Sequence, residues 1–210
     1  MEPAQQLIEW WRKNGRDFPW RGERNPYKVL VAEMLLQRTR AQNVVPVYTR
    51  FLNSFGSPRE ISEASDEDIR RCLRSLGLIW RAEKLIETFR VISRDFHGKI
   101  PLEKDDLLKL PGIGDYISSA FRTFYGGSSD PLIDTNTVRV LCRLRGDPVN
   151  DSIRRGESIR IFYSNLLGSS DPVEFGYALI DLASVICRPS NPLCKICPVL
   201  DLCSTGRPKD

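Results

Sequence analysis

Apolar residues along this chain recur at three- and four-residue intervals, and few stretches alternate with period two. That periodicity predicts helices throughout, so the expected fold class is all-α. Residues 4–13 carry it with Leu7, Ile8, Trp10 and Trp11. Gly15 interrupts the pattern, and Phe18-Pro19-Trp20-Arg21 reads as an extended connector. Pro26 opens a helix from Tyr27 to about Arg38 that is rich in Val, Leu and Met. A second helix follows over 41–55, with Pro46 expected to kink or restart it. A short helix is predicted for 66–74, and a long amphipathic one for 81–96, closed by Gly98. Two short helices frame Leu110-Pro111-Gly112-Ile113-Gly114, and two more cover 136–145 and 152–167. Asp171-Pro172-Val173-Glu174 combines a cap, a first-turn proline and an acid at the third position. It starts a helix that runs to about Ile186 and delivers Cys187.

Composition narrows the class. A chain of 210 residues with 41% hydrophobic and 28% charged residues can bury a core, which argues against long-range disorder and suits one large domain or two small ones. Apolar runs such as Val29-Leu30-Val31 are far too short to span a bilayer, and the amphipathic start shows no signal peptide. The expectation is an intracellular protein with no membrane partner. A net charge of +4 permits a nucleic-acid partner without arguing for one.

The cysteines change the picture. Four of the six crowd the C-terminus as Cys187, Cys194, Cys197 and Cys203, spaced C-x6-C-x2-C-x5-C. In a reducing setting, four thiolates so close in sequence point to a soft metal rather than to disulfides. Zinc sites usually show two tight C-x2-C arms, and only Cys194 and Cys197 form one here. A [4Fe–4S] cluster accepts wider, unequal gaps and is the favoured reading, with zinc as the alternative. Pro189, Pro192 and Pro198 stiffen the loop. Cys72 and Cys142 fall in helical patterns and are expected to be ordinary buried thiols.

Leu110-Pro111-Gly112-Ile113-Gly114 carries a second signal. Two glycines two apart let the chain turn tightly and bring backbone N–H groups to the surface. The helix starting near Asp115 adds its positive end, so Gly112 and Gly114 could grip one phosphate without reading sequence. A plain helix–turn–helix corner is the structural alternative, and an acid at Asp115 suits a phosphate grip only if it points away.

This hairpin, the segment Leu132-Ile133-Asp134-Thr135-Asn136-Thr137-Val138-Arg139-Val140 and the four-cysteine loop occur together. The combination resembles the helix-hairpin-helix DNA glycosylases of the endonuclease III and MutY type, from Phe18-Pro19-Trp20 to Cys203. The resemblance implies two all-α lobes: a central bundle with the hairpin over 22–130, and a discontinuous lobe of 1–21 plus 131–210 with the cluster loop. It also implies DNA bent across a cleft between them, with the target nucleotide turned out of the stack.

The resemblance assigns candidate chemistry. Breaking the bond between C1′ and the base nitrogen builds a cationic sugar, which a nearby carboxylate stabilises. Asp134 stands at the family's position for that acid, where it would also guide or deprotonate water. Read alone, it is an ordinary helix N-cap, and both roles are compatible. Glu33 lies within the apolar run 29–36, where an acid is costly unless it is paired or working. It would donate a proton or position water, as acids do near the departing base in MutY-like enzymes. Bifunctional relatives place a lysine two residues after the hairpin's last glycine; Tyr116 stands there, and a phenol cannot form an imine. A monofunctional enzyme is therefore expected, with Tyr116 stacking on or hydrogen-bonding the expelled base. By the same resemblance Gln37 fills the gap left by the flipped nucleotide and Arg38 touches the widowed base or its backbone. Leu78 and Ile79 supply an apolar wedge, while Arg139, Arg143 and Lys195 contact phosphates.

The expected substrate is thymine, and with it uracil, opposite guanine in double-stranded DNA. Leu76-Gly77-Leu78 followed by Arg81-Ala82-Glu83 is similar to the archaeal thymine-mismatch branch. The chain also ends soon after Cys203, without the further domain MutY uses to sense 8-oxoguanine. Asp134-Thr135-Asn136 departs from the patterns of both branches and does not decide. An adenine glycosylase acting opposite 8-oxoguanine or guanine, and a DNA-structure-binding relative without catalysis, are the alternatives. A monomer in a prokaryotic cytoplasm, associated with the nucleoid, completes the expectation.

Overall fold

The computed structural model describes residues 2–77 and 79–207. All regular structure among them is helical, and no described helix is long and apolar enough to cross a membrane. The chain divides into two units, one of residues 17–126 and one of 1–16 with 127–210. Both crossing points fall a few residues before the 21/22 and 130/131 boundaries that the resemblance implied.

The chain enters through α1 (Pro3–Asn14), which belongs to the discontinuous unit. The central unit then opens on the Phe18–Trp20 segment, whose two rings stack at 5.0 Å, with Trp20 set edge-on to Tyr48. Its axis is α2 (Pro26–Leu36), started by Asn25, whose side chain accepts from the Tyr27 N–H. Every residue from Val29 to Leu35 of this helix is buried. It therefore has no solvated stripe and must be enclosed by other helices. The enclosing elements are α3 (Ala41–Ser54), α6 (Ile79–Asp95) and α8 (Asp115–Phe124). Between them lie α4 (Pro58–Glu63), α5 (Asp66–Leu73) with a 3-10 turn over Arg74–Leu76, and α7 (Lys104–Lys109). The core includes Leu30, Phe51, Ile61, Phe89 and Phe121, all fully buried.

The discontinuous unit packs α1 against α12 (Pro172–Asp181) and α11 (Glu157–Leu167). Around them stand α9 (Thr135–Arg145) and the short α10 (Asp151–Arg155). Asp181, fully buried, accepts from the Arg16 backbone N–H at 2.8 Å and from its Nε at 2.7 Å. Ion pairing of this buried kind is costly to break from one side, about 3–5 kcal/mol.

Several expectations are corrected. The helix over 41–55 runs through Pro46 unbroken, and the lost bond would have reached the carbonyl of Gln42, an exposed residue that water can serve. The expected helix over 152–167 is two helices, divided at Gly156, whose backbone is extended. The helix expected to reach Ile186 is α-helical only to Asp181 and ends as a π turn over Leu182–Ile186. Helix α4 has a local start signal: Ser57 caps it by accepting from the Glu60 N–H, Glu60 accepts from Ser57 Oγ and the Gly56 N–H, and proline stands at N1. Cys142 is buried as expected, whereas Cys72 is only partly so.

Candidate functional site

Asp134 is the N-cap of α9. Its Oδ1 accepts from the backbone N–H of Asn136 at 2.8 Å and of Thr137 at 2.7 Å, and its Oδ2 accepts from Asn136 Nδ2 at 3.0 Å. Thr137 closes the box by accepting from the Asp134 N–H at 2.9 Å and donating to the Leu132 carbonyl at 2.6 Å. One carboxylate oxygen is thus fixed by the backbone, and the residue remains partly exposed. Capping and an oriented, accessible carboxylate coexist at this position.

In the central unit, Glu33 is 6% exposed on the helix that is apolar around it. Gln37 lies one turn further on the same face, just past the helix end. Its Nε2 donates to the Gly112 carbonyl at 3.0 Å, tying the end of α2 to the hairpin. Helix α2 ends at Leu36, two residues short of expectation, because Gln37 leaves with ψ 117° and Arg38 takes φ +53°. A left-handed arginine beside a candidate DNA contact is the kind of local strain that functional sites retain. Arg38 is exposed. Tyr116 occupies the first turn of α8, which packs against α2, and is partly exposed. Leu78, expected as the wedge, lies outside the described residues. Its neighbours Ile79 and Trp80 are 78% and 42% exposed, unusual for large apolar groups at a helix start.

The hairpin geometry rests on its two glycines differently. Gly112 has φ +80°, and a Cβ there would stand 2.8 Å from Lys84 Cβ. Gly114 has an ordinary φ of −99° and open space around it, so a bare backbone there matters only for something approaching from outside the chain. The Gly112 and Gly114 N–H groups donate to no acceptor among the described residues. Asp115 is drawn into an ion pair with Lys104 Nζ at 2.8 Å, which compensates its charge at the head of α8. Replacement of Gly112 by alanine is expected to cost about 2 kcal/mol or more, from the left-handed backbone and the overlap with Lys84. A fall of several degrees in Tm, together with weaker binding to duplex DNA, checks it.

Arg139 and Arg143 serve the cysteine loop. Arg139, 6% exposed, donates from Nε to the Cys187 carbonyl at 2.9 Å, from Nη2 to Ala183 at 2.8 Å and from Nη1 to Asn136 Oδ1 at 3.1 Å. It satisfies carbonyls that the π turn leaves open. Burial lowers its pKa, an effect the nearby Cys187 opposes. Arg143 donates to the Arg188 carbonyl at 2.7 Å and the Pro189 carbonyl at 3.0 Å, and it lies 3.4 Å from Cys187 Sγ. Both guanidiniums hydrogen-bond their own chain, Arg139 buried and Arg143 partly exposed. Lys195 is exposed.

Among the described residues no group of three or more His, Cys, Asp or Glu is arranged to hold a single metal ion. The four C-terminal cysteines are nonetheless neighbours. A Cβ on Gly206 would meet Cys194 Sγ at 3.3 Å and Cys203 Sγ at 3.4 Å. Burial pushes the Cys197 thiol up to about 11, with the Val199 N–H opposing and Cys187, Cys203 and Cys194 adding to the rise. Neighbouring thiols are soft ligands, a donor set that suits a thiolate-bound metal group. The loop is fastened to α9 by the N–H groups of Ser204 and Thr205, which donate to the carbonyls of Leu144 and Arg143 at 3.1 Å each.

Comparison with known proteins places these features. Residues 31–157 match the family described as HhH-GPD superfamily base excision DNA repair protein. The thymine-DNA glycosylase of Aeropyrum pernix is 39% identical over 204 residues, covering 94% of this chain and 91% of that protein. The thymine/uracil-DNA glycosylase of Pyrobaculum aerophilum is 35% identical over 200 residues, covering 92% and 86%. The solved structure of a thermostable thymine-DNA glycosylase superposes with a TM-score of 0.90 at 30% identity, covering 97% of this chain and 94% of the other. By sequence and by fold, the chain belongs to the HhH-GPD superfamily of base excision DNA repair proteins.

Proposed function

We propose that this protein is a monofunctional DNA glycosylase that hydrolyses the N-glycosidic bond of thymine, and of uracil, mispaired with guanine in double-stranded DNA. The observation that carries the reading is Asp134: a partly exposed carboxylate with one oxygen fixed by two backbone N–H bonds and its orientation set by the α9 capping box. Such a group faces developing positive charge without reorganising, the condition under which electrostatic stabilisation is most effective. In this reading it stabilises the sugar cation and orients or deprotonates the attacking water. The buried Glu33 protonates the departing pyrimidine or positions water, and Tyr116 contacts the expelled base. Gly112 and Gly114 hold a phosphate through free N–H groups, Gln37 occupies the vacated position in the stack, and Arg38 meets the widowed guanine or its backbone. Uracil follows thymine because it lacks only a methyl group, and a site that admits the larger base rejects the smaller one weakly.

Cys187, Cys194, Cys197 and Cys203 would hold a [4Fe–4S] cluster. That group would supply structural fixation of the C-terminal loop rather than a redox step. We assign the protein as a monomer working on mismatched duplex DNA, in a nucleoid-associated cytoplasmic setting.

One panel tests the function. Duplexes holding G·T, G·U, A·8-oxoguanine and A·G are incubated with the protein and then treated with alkali. Product confined to the G·T and G·U strands is expected. Product at adenine alone assigns an adenine glycosylase, and binding without product assigns a non-catalytic DNA-binding relative. Borohydride is added to a parallel G·T reaction. No covalent adduct is expected, because no amine stands at position 116, and a trapped adduct would show a Schiff-base lyase instead.

A further inference from the structure

Arg81 is a charged side chain buried without a charged partner. It lies in the first turn of α6, is 2% exposed, and pairs with no carboxylate among the described residues. Burial lowers its pKa, with no acidic neighbour to offset the effect. An uncompensated buried cation costs several kcal/mol, so its hydrogen bonds must serve a purpose a cheaper group could not. Its Nη1 donates to the Leu35 carbonyl at 2.8 Å, and its Nη2 to the Gln37 carbonyl at 2.7 Å and to Thr39 Oγ1 at 2.8 Å. Its Nε is buried with no acceptor, a further cost.

All three acceptors lie on the turn that ends α2. That turn holds the left-handed Arg38, a conformation costing about 1–3 kcal/mol unless its surroundings enforce it. The turn also sets the path of Gln37, whose side chain reaches the Gly112 carbonyl. A glycine after the helix would have satisfied the end of α2 without burying a charge. A glycine would also have left the turn free to move, and ordering it on contact with DNA would then lower affinity.

We propose that Arg81 is a positioning residue for base eversion, locking the 37–39 turn in the conformation that delivers Gln37 into the gap left by the flipped nucleotide. The proposal rests on the glycosylase reading, in which Gln37 fills that gap. The guanidinium serves these acceptors from two nitrogens held in one plane, a spread that the single nitrogen of lysine does not reproduce, so lysine is a poor substitute although it keeps the charge.

The test combines Arg81→Lys, Gln37→Ala and the double variant on a G·T duplex carrying 2-aminopurine beside the target thymine. Fluorescence of the 2-aminopurine reports eversion, and single-turnover rates report excision. Arg81→Lys is expected to lower the eversion signal and to slow excision about 10- to 100-fold while remaining folded. The double variant is expected to be no slower than the slower single variant, because both act through one turn. Thr39→Val, which removes one acceptor, should reproduce part of the loss and serves if the lysine variant is unstable. Losses that multiply in the double variant, or a fall in Tm with eversion unchanged, would overturn the proposal. If the unaltered protein excises nothing, the glycosylase reading fails separately. The same cycle is then read as affinity for a duplex with a tetrahydrofuran abasic analogue opposite guanine, where coupling supports the role of Arg81 and its absence removes it.

Discussion

Asp134→Asn is expected to abolish base excision while leaving the fold and DNA affinity in place. The substitution removes a negative charge but keeps an oxygen for the Asn136 and Thr137 N–H groups, and asparagine caps helices about as well as aspartate. The lost interaction with the α9 dipole costs about 0.3–1 kcal/mol, small beside the stability of a domain. The chemical loss is much larger. A neutral amide can neither stabilise the cationic sugar nor accept a proton from water, and removal of such a group slows reactions by about 10²–10⁴-fold. Single-turnover excision from G·T and G·U, measured beside Tm and duplex affinity, separates the two effects. Undiminished excision would mean that another group bears the chemistry, and lost binding would mean that the cap, not the charge, was disturbed.

Cys197→Ser gives the second large effect, this time on stability. Cys197 belongs to the tight C-x2-C pair of the four-thiol set, so its loss removes a ligand from the proposed cluster. Loss of a structural metal group is among the few single changes that cost more than about 4 kcal/mol. The protein is expected to lose the brown colour of an iron–sulfur protein, and the loop after Cys187 to open. Hydrogen exchange reads this at named amides: those of Leu193, Ser204 and Thr205, which donate to Ile186, Leu144 and Arg143. A colourless unaltered protein containing zinc would replace the cluster with the alternative metal. Unchanged exchange in the serine variant would show a loop held by Arg139 and Arg143 alone.

The helices were legible wherever their cause is local. The Asp171 start, the hairpin glycines and the Asp134–Thr137 cap depend on residues within a few positions of one another. The start of α4 is equally local, with Ser57 as cap, Pro58 at the first position and Glu60 at the third. The misread endings had distant causes. Helix α2 stops at Leu36 where Arg81 takes the carbonyls of Leu35 and Gln37, and the π turn of Leu182–Ile186 is met by Arg139.

The arginines separate the two sources of information most clearly. A sequence shows the charge of Arg139 and Arg143 without showing its direction. In the fold Arg139 reaches carbonyls 44 and 48 residues away, and Arg143 carbonyls 45 and 46 away. The sequence by itself determined the helical class, the hairpin, the capped carboxylate at 134 and the thiol set, because period, turn chemistry and capping act over one or two turns of chain. Tertiary structure alone decided which cations are buried, which loops they hold and how the Gln37 turn is set. A buried charge is tolerable only where packing brings acceptors to it, and those acceptors come from chain segments far apart in sequence.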